Sequence, residues 1–186
     1  MKLGRLLLRL TVGGLFFGHG TQKLFGWFGG YGLEGTAGFF EQLGMRPGKR
    51  HAIAAGAAEA GGGAALALGF ATPFAVSALV ATMLTAINRV HLEKGPWAAD
   101  GGYEYNLVLI AAVLALVEVG PGQPSVDAAL GQERQGPLWM LAALGLGVAG
   151  AVGAHYVAES QPAPIAPAEP EPEPIAPAEE ASSPTA

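Results

Sequence analysis

The chain has 186 residues, 51% of them hydrophobic and only 13% charged, with a mean hydropathy of +0.36, a balance that points to a membrane protein rather than a soluble globular domain. The formal net charge is −5, yet Glu159, Glu169, Glu171, Glu173, Glu179 and Glu180 crowd into a C-terminal stretch without Lys or Arg, so the body is close to neutral and offers nucleic acid no basic surface. Cysteine is absent, which excludes disulfide exchange, thiolate nucleophiles, cysteine-ligated iron–sulfur clusters and covalently attached haem.

The first helix is expected over Leu3–Phe25. The opening MKLGRLLLRL has the look of a leader peptide, but Arg9 interrupts its apolar core and no A-x-A site follows. These residues therefore read as the start of the helix, with Arg5 and Arg9 snorkelling back to the headgroups as topology signals. The apolar run Leu10–Phe17 then gives way to Gly18-His19-Gly20 and Lys23. His19 and Lys23 are four apart and share a face. Ionisable side chains at membrane depth usually line a bundle interior, and Phe25, Trp27, Phe28 and Tyr31 just beyond fit an interfacial aromatic belt.

Residues 26–50 are rich in glycine. Leu33, Ala37, Phe40 and Leu43 recur at helical spacing and Gly44 can end the element, so either a short interfacial helix or an irregular loop fits this stretch. The second long helix, His51–Phe70, is mostly Ala and Gly and needs close neighbours. Ala71-Thr72-Pro73 should turn the chain into a tight hairpin, with Thr72 as N-cap and Pro73 at the first helical position. The third helix runs from Pro73 to about Val90 and ends in Asn88-Arg89-Val90-His91. The fourth, Tyr103–Val119, opens on Tyr103-Glu104-Tyr105 and stops at Gly120-Pro121-Gly122. A fifth, Pro137 to about Val157, carries Gly145, Gly147 and Gly150 for close packing. From Ala158 the composition shifts to Pro, Ala and Glu with PIAPAE repeated at 164–169 and 174–179, a disordered, extended tail.

Five spans alternate in direction, which collects all four histidines, His19, His51, His91 and His155, on one membrane side with Lys23, Asn88, Arg89, Tyr103 and Glu104. His51 and His155 sit at helix ends and read as interfacial. Glu59 stands eight residues into its helix, about 12 Å deep, and His19 lies about 9 Å deep at the same rise, so the two could meet. Glu59 is expected to pair with His19, Lys23 or Arg89, and Glu118, on the opposite side, to be solvated. The candidate polar centre is thus His19, Lys23, Glu59, Asn88, Arg89, His91, Tyr103 and Glu104, either a functional site or a clasp that fixes helix packing. No motif supports haem ligation by His19 and His91, and no metal site is expected. Loop bases are split four against six between the two sides; the three that fall within the first nine residues favour a cytoplasmic N-terminus, with the polar cluster and tail outside.

From about Gly4 to Gly131 the sequence resembles the DoxX family of small bacterial membrane proteins. The resemblance rests on GHGTQKLFG, Leu43-Gly44, Glu59 followed by Gly61-Gly62-Gly63, LGFATP, the polar run ending at His91, GGYEYNLVL and GPGQPSVD. His19 and Lys23 match the family's first-helix end, Glu59 its second-helix acid, and Tyr103-Glu104 the start of its fourth helix; helix five and the tail depart from the pattern.

The resemblance implies a four-helix transmembrane bundle in the bacterial plasma membrane. Its members include a subunit of a thiosulfate:quinone oxidoreductase and proteins linked to membrane oxidoreductase complexes. The expected architecture is all-α: a four-helix membrane domain over 1–131, an additional transmembrane helix over 132–157 and a disordered acidic Pro-rich tail over 158–186. The expected role is a subunit of such a complex, with a protein partner or further copies of itself. A quinone is the candidate bound group, and catalytic residues are not assigned. The competing reading is a membrane scaffold or assembly factor with no redox role.

Overall fold

The computed structural model describes residues 3–161; residues 162–186, which hold the repeats expected to be disordered, lie outside them. All regular structure among the described residues is helical. Five long helices, α1 (Leu3–Phe25), α3 (Gly48–Leu68), α4 (Thr72–Ala86), α5 (Glu104–Val119) and α7 (Pro137–Glu159), are joined by segments that include two short ones, α2 (Gly32–Gln42) and α6 (Val126–Ala129). The short helix read from Leu33, Ala37, Phe40 and Leu43 is α2, with Ala37 and Phe40 buried and Gly44 at positive φ past its end. α4 continues through a π-helical turn, Ile87–His91, and a 3-10 turn, Leu92–Lys94. Two stretches, Thr72–Lys94 and Pro137–Glu159, are long and apolar enough to cross a membrane. The others fall short of that measure for local reasons: α1 carries Arg5, Arg9 and Lys23, α3 is largely Ala and Gly, and α5 has 16 residues.

Small residues decide which helices meet. α3 makes its closest backbone approach to α1, and not to α4, its hairpin neighbour. A Cβ placed on Gly13 would lie 2.6 Å from the Gly63 carbonyl oxygen, and one on Gly20 would lie 2.6 Å from that of Gly56 and overlap the Ala60 backbone. Without side chains at these points two backbones can come into contact, the usual basis of helix association where lipid removes the hydrophobic driving force. An apolar core then forms from Val12 and Phe16 of α1, Leu66 of α3, Val76 and Leu79 of α4, and Val113 and Leu116 of α5. α7 completes it by setting Ala143 inside and Gly147 against Val80 and Ser77 of α4.

The N-terminal pole corrects two sequence expectations. Arg9 does not snorkel: it is 3% exposed, and its guanidinium donates to the carbonyls of Ala67 (2.9 Å), Pro121 (2.8 Å) and Pro124 (2.5 Å). Arg5 similarly donates to the carbonyls of Val119 and Gly120. A guanidinium stays charged and carries five donors, so carbonyls that leave a helix end or a Pro-rich loop unpaired are its natural partners. Thr72 is not the N-cap of α4; Ala71, at φ 46°, holds that position. The acceptor comes from 55 residues downstream: the buried Asp127 carboxylate takes hydrogen bonds from the Ala71 N–H (2.8 Å), the Thr72 N–H (3.0 Å) and the Thr72 hydroxyl (2.7 Å). An acid there also complements the positive end of the helix dipole.

Candidate functional site

At the other pole the helices part around a cavity of about 780 Å³. α1 is drawn along its length to α3 by the glycine contacts, while α5 is tied to α4 by Asn106, whose amide lies 3.3 Å from the Met83 sulfur. α3 packs against both α1 and α4, but α1 and α5 touch sparsely, and a wedge is left between them. Its walls are mainly apolar, from residues such as Phe16, Phe40, Ala55, Ala86 and Leu109, and its polar groups gather toward one pole.

The ion pair of Lys23 and Glu59 is the centre of that pole, with Lys Nζ 2.5 Å from Glu Oε2. The carboxylate side chain is 6% exposed and the Lys side chain 26%. Bare helix faces make the pairing possible: Gly20, Gly56 and Gly63 bring α1 close enough to α3 for Lys23 to reach across. This is the base among the three sequence candidates that Glu59 meets.

Arg89 and His91 line the same cavity, although they are two residues apart. Residues so spaced point away from each other on an α-helix. The π-helical turn over Ile87–His91 widens the coil locally and brings both to the void, a distortion often found at functional sites. His91 Nδ1 lies 2.7 Å from the Gly101 carbonyl oxygen. A carbonyl only accepts, so Nδ1 carries the proton and Nε2 is left as an acceptor in the neutral ring. The Arg89 guanidinium reaches Glu159 at 3.3 Å, and through this pair the end of α7 abuts the site.

Five of the eight candidates, His19, Lys23, Glu59, Arg89 and His91, are brought to the cavity. Asn88 is exposed on the far side of its turn, and Tyr103 and Glu104 do not line the cavity; the Glu104 carboxylate instead accepts from the Ala98 N–H at 2.9 Å. His19 is exposed near the mouth and hydrogen-bonds Gln22 at 3.1 Å. Glu118 is exposed, as expected.

Two cavity residues were not read from the sequence as site residues. His51, taken as interfacial, is buried beneath the cavity with its Nε2 3.2 Å from the Arg46 carbonyl. Asn106 is 6% exposed and has only a thioether as partner, a weak acceptor for an amide donor. A signal was present for Asn106: it is the one amide in α5, in the first turn and directly ahead of the apolar run.

A family model described as DoxX matches residues 4–92. The chain is 35% identical over 115 residues to "Putative oxidoreductase CatD" of Bacillus subtilis (strain 168), a match that covers 62% of this chain and 79% of that protein. No solved structure matches it. All five polar candidates at the cavity fall within 4–92, whereas Asn106 and α7 lie beyond it.

Proposed function

This chain belongs to the DoxX family of membrane proteins, and from that premise we propose that it is a multi-pass plasma-membrane subunit that binds a quinone for an oxidoreductase partner. The observation that carries this reading is the cavity itself: apolar walls large enough for a ring and part of a chain, with charged and amide groups confined to one pole. Ligand sites commonly combine such an apolar lining with a few convergent polar groups. A quinone head presents two carbonyl acceptors, and Lys23, Arg89 and Asn106 are donors facing the space. Reducing a quinone to a quinol takes two electrons and two protons. In this reading the electrons would come from the partner, and Glu59 and His91 are the groups placed to hold protons. The name of the Bacillus relative supports an oxidoreductase setting.

Replacing Asn106 with Leu is expected to weaken binding of a chain-bearing naphthoquinone about five- to tenfold, as loss of a hydrogen bond worth about 1 to 1.4 kcal/mol implies. The fold should hold, because the lost thioether contact is weak and α5 stays packed through Ile110, Val113, Leu116 and Val117. Titration of the purified protein, followed through quenching of its tryptophans, measures this. A preparation that carries no extractable quinone, binds none and supports no electron transfer with co-purified proteins would sink the reading. Crosslinking in native membranes then separates it from a scaffold role: one stable oxidoreductase partner against a range of unrelated clients.

In the same proposal the five long helices span the bilayer with the N-terminus in the cytoplasm, so the cavity pole and the C-terminus lie outside. A fluorescent protein fused after Ala186 should therefore stay dark in the periplasm. Fluorescence equal to that of a cytoplasmic control would reverse the orientation.

A further inference from the structure

The wedge is closed at one end only. At the N-terminal pole, α1 and α5 are bound through the Arg5 and Arg9 bonds to the carbonyls of Val119, Gly120 and Pro121, and through the core formed by Val12, Phe16, Ile110 and Val113. Toward the other pole no hydrogen bond among the described residues joins the two helices. There Leu15 and His19 of α1 and Tyr105 and Leu109 of α5 line the cavity, yet Leu15 is 49% and Tyr105 54% exposed. The same side chains face both the interior space and the outer surface. The cavity therefore runs out sideways between the helices, at a height where the outer surface of α5 is apolar: Leu107 and Val108, at the level of Tyr105 and Leu109, are exposed.

A water-facing site would open instead at the pole. That route is covered, because the loop 95–102 folds over the cavity: its Ala98, Gly101 and Gly102 are lining residues, and it is held by the His91 bond to Gly101 and by the Glu104 bond to the Ala98 N–H.

We infer that the cavity takes its ligand from the bilayer through the gap between Leu15 and His19 of α1 and Tyr105 and Leu109 of α5, and that the ligand's chain remains in this gap while its head sits at Lys23 and Glu59. The inference rests on the quinone reading and adds to it the route and the position of the chain. A polar head with an apolar chain matches the two ends of this space: the charged pole holds donors, and the gap offers Leu15 and Leu109 to hydrocarbon. It also explains the lateral divergence of α1 and α5, which a sealed bundle would not need.

The probe is a 1,4-naphthoquinone carrying a ten-carbon chain with a terminal diazirine, added to the full-length protein in liposomes, irradiated, and mapped by mass spectrometry. Adducts are expected on α1 between Leu8 and His19 or on α5 between Tyr105 and Val113. Excess probe analogue lacking the diazirine should suppress them. Leu15→Trp, which fills the gap, should lower adduct yield at least tenfold, whereas Leu146→Trp, at an exposed position of α7 away from the cavity, should leave it within twofold. Competable adducts confined to the loop 95–102 or to α7 would overturn the lateral route while leaving quinone binding intact. Absence of any competable adduct, together with no tryptophan quenching by the same quinone, would overturn the quinone reading and the route with it. Leu15→Trp protein that is misfolded does not weigh in the outcome, because the wild-type adduct map decides it alone.

Discussion

Lys23→Met is expected to destabilise the folded protein by about 3 to 5 kcal/mol, the scale measured when one partner of a buried ion pair is removed. The two partners are not equivalent. Glu59 is the deeper, with its side chain 6% exposed, and among the described residues Lys23 is its only hydrogen-bond partner; Lys23 itself retains 26% exposure on a flexible stem. Removing the lysine strands a carboxylate among alanine and glycine backbones. Removing the acid leaves an ammonium that can swing toward the headgroups. Glu59→Gln should therefore cost less, about 1 to 3 kcal/mol, in the range for a lost charged hydrogen bond.

The double change removes both charges and should recover most of the loss, a coupling that a double-mutant cycle reads directly. Unfolding in SDS from mixed micelles, followed by far-ultraviolet circular dichroism, gives all four stabilities. Glu118→Gln, at an exposed site, is the control and should change nothing. A Lys23→Met protein as stable as wild type would show that the pair does not hold the site together. A double variant that is stable but no longer binds quinone would assign the pair to function as well as to packing; full recovery of binding would assign it to packing alone.

Asp127→Ala is expected to produce a loss of similar size, about 3 kcal/mol or more. It leaves two backbone N–H groups and one hydroxyl of the α4 start without their acceptor, and bonds to a charged group contribute about 1.5 to 3 kcal/mol each, not fully additively. The effect should spread to α1. The loop that carries Asp127 also supplies the Pro121 and Pro124 carbonyls that bind Arg9, and the Asp127 N–H itself donates to Gly69 at 2.9 Å. Asp127→Asn keeps one acceptor oxygen and should fall between, while Thr72→Val removes only the hydroxyl bond and should cost about 1 kcal/mol. Hydrogen exchange at Ala71 and Thr72 tests the mechanism as well as the magnitude. Unchanged protection at these two amides in Asp127→Ala would mean that α4 is capped by something else.

Much of this molecule was legible without coordinates, and the reason is that it depends on neighbours in sequence. Leu3–Phe25 was delimited by its apolar run and by the glycine and aromatic residues that follow; the later helices by Pro73, Pro137 and Gly120-Pro121-Gly122, residues that forbid or permit particular backbone angles wherever they occur. Alternation of the long helices was enough to put His19, Lys23, Glu59, Arg89 and His91 at one pole.

Only the tertiary structure decided who touches whom. The Ala- and Gly-rich α3 announced that something would approach closely, but that it is α1 follows from glycines on both helices falling in register, which no single segment contains. Arg9 looked like any base near a membrane helix start; it is buried because carbonyls over 50 and over 110 residues away converge on it. Asp127 sat just past a Pro-rich loop, in the single turn of α6 that Ser125 caps, and its role depends on Ala71 arriving beside it. Asn88, Arg89 and His91 could not be told apart from spacing, since the π-helical turn that admits the last two and turns Asn88 outward is set by how α4 meets its neighbours. The cavity exists for the same reason: α3 packs on both α1 and α4 while α1 and α5 meet only sparsely, and the space left among them belongs to none of the segments that border it.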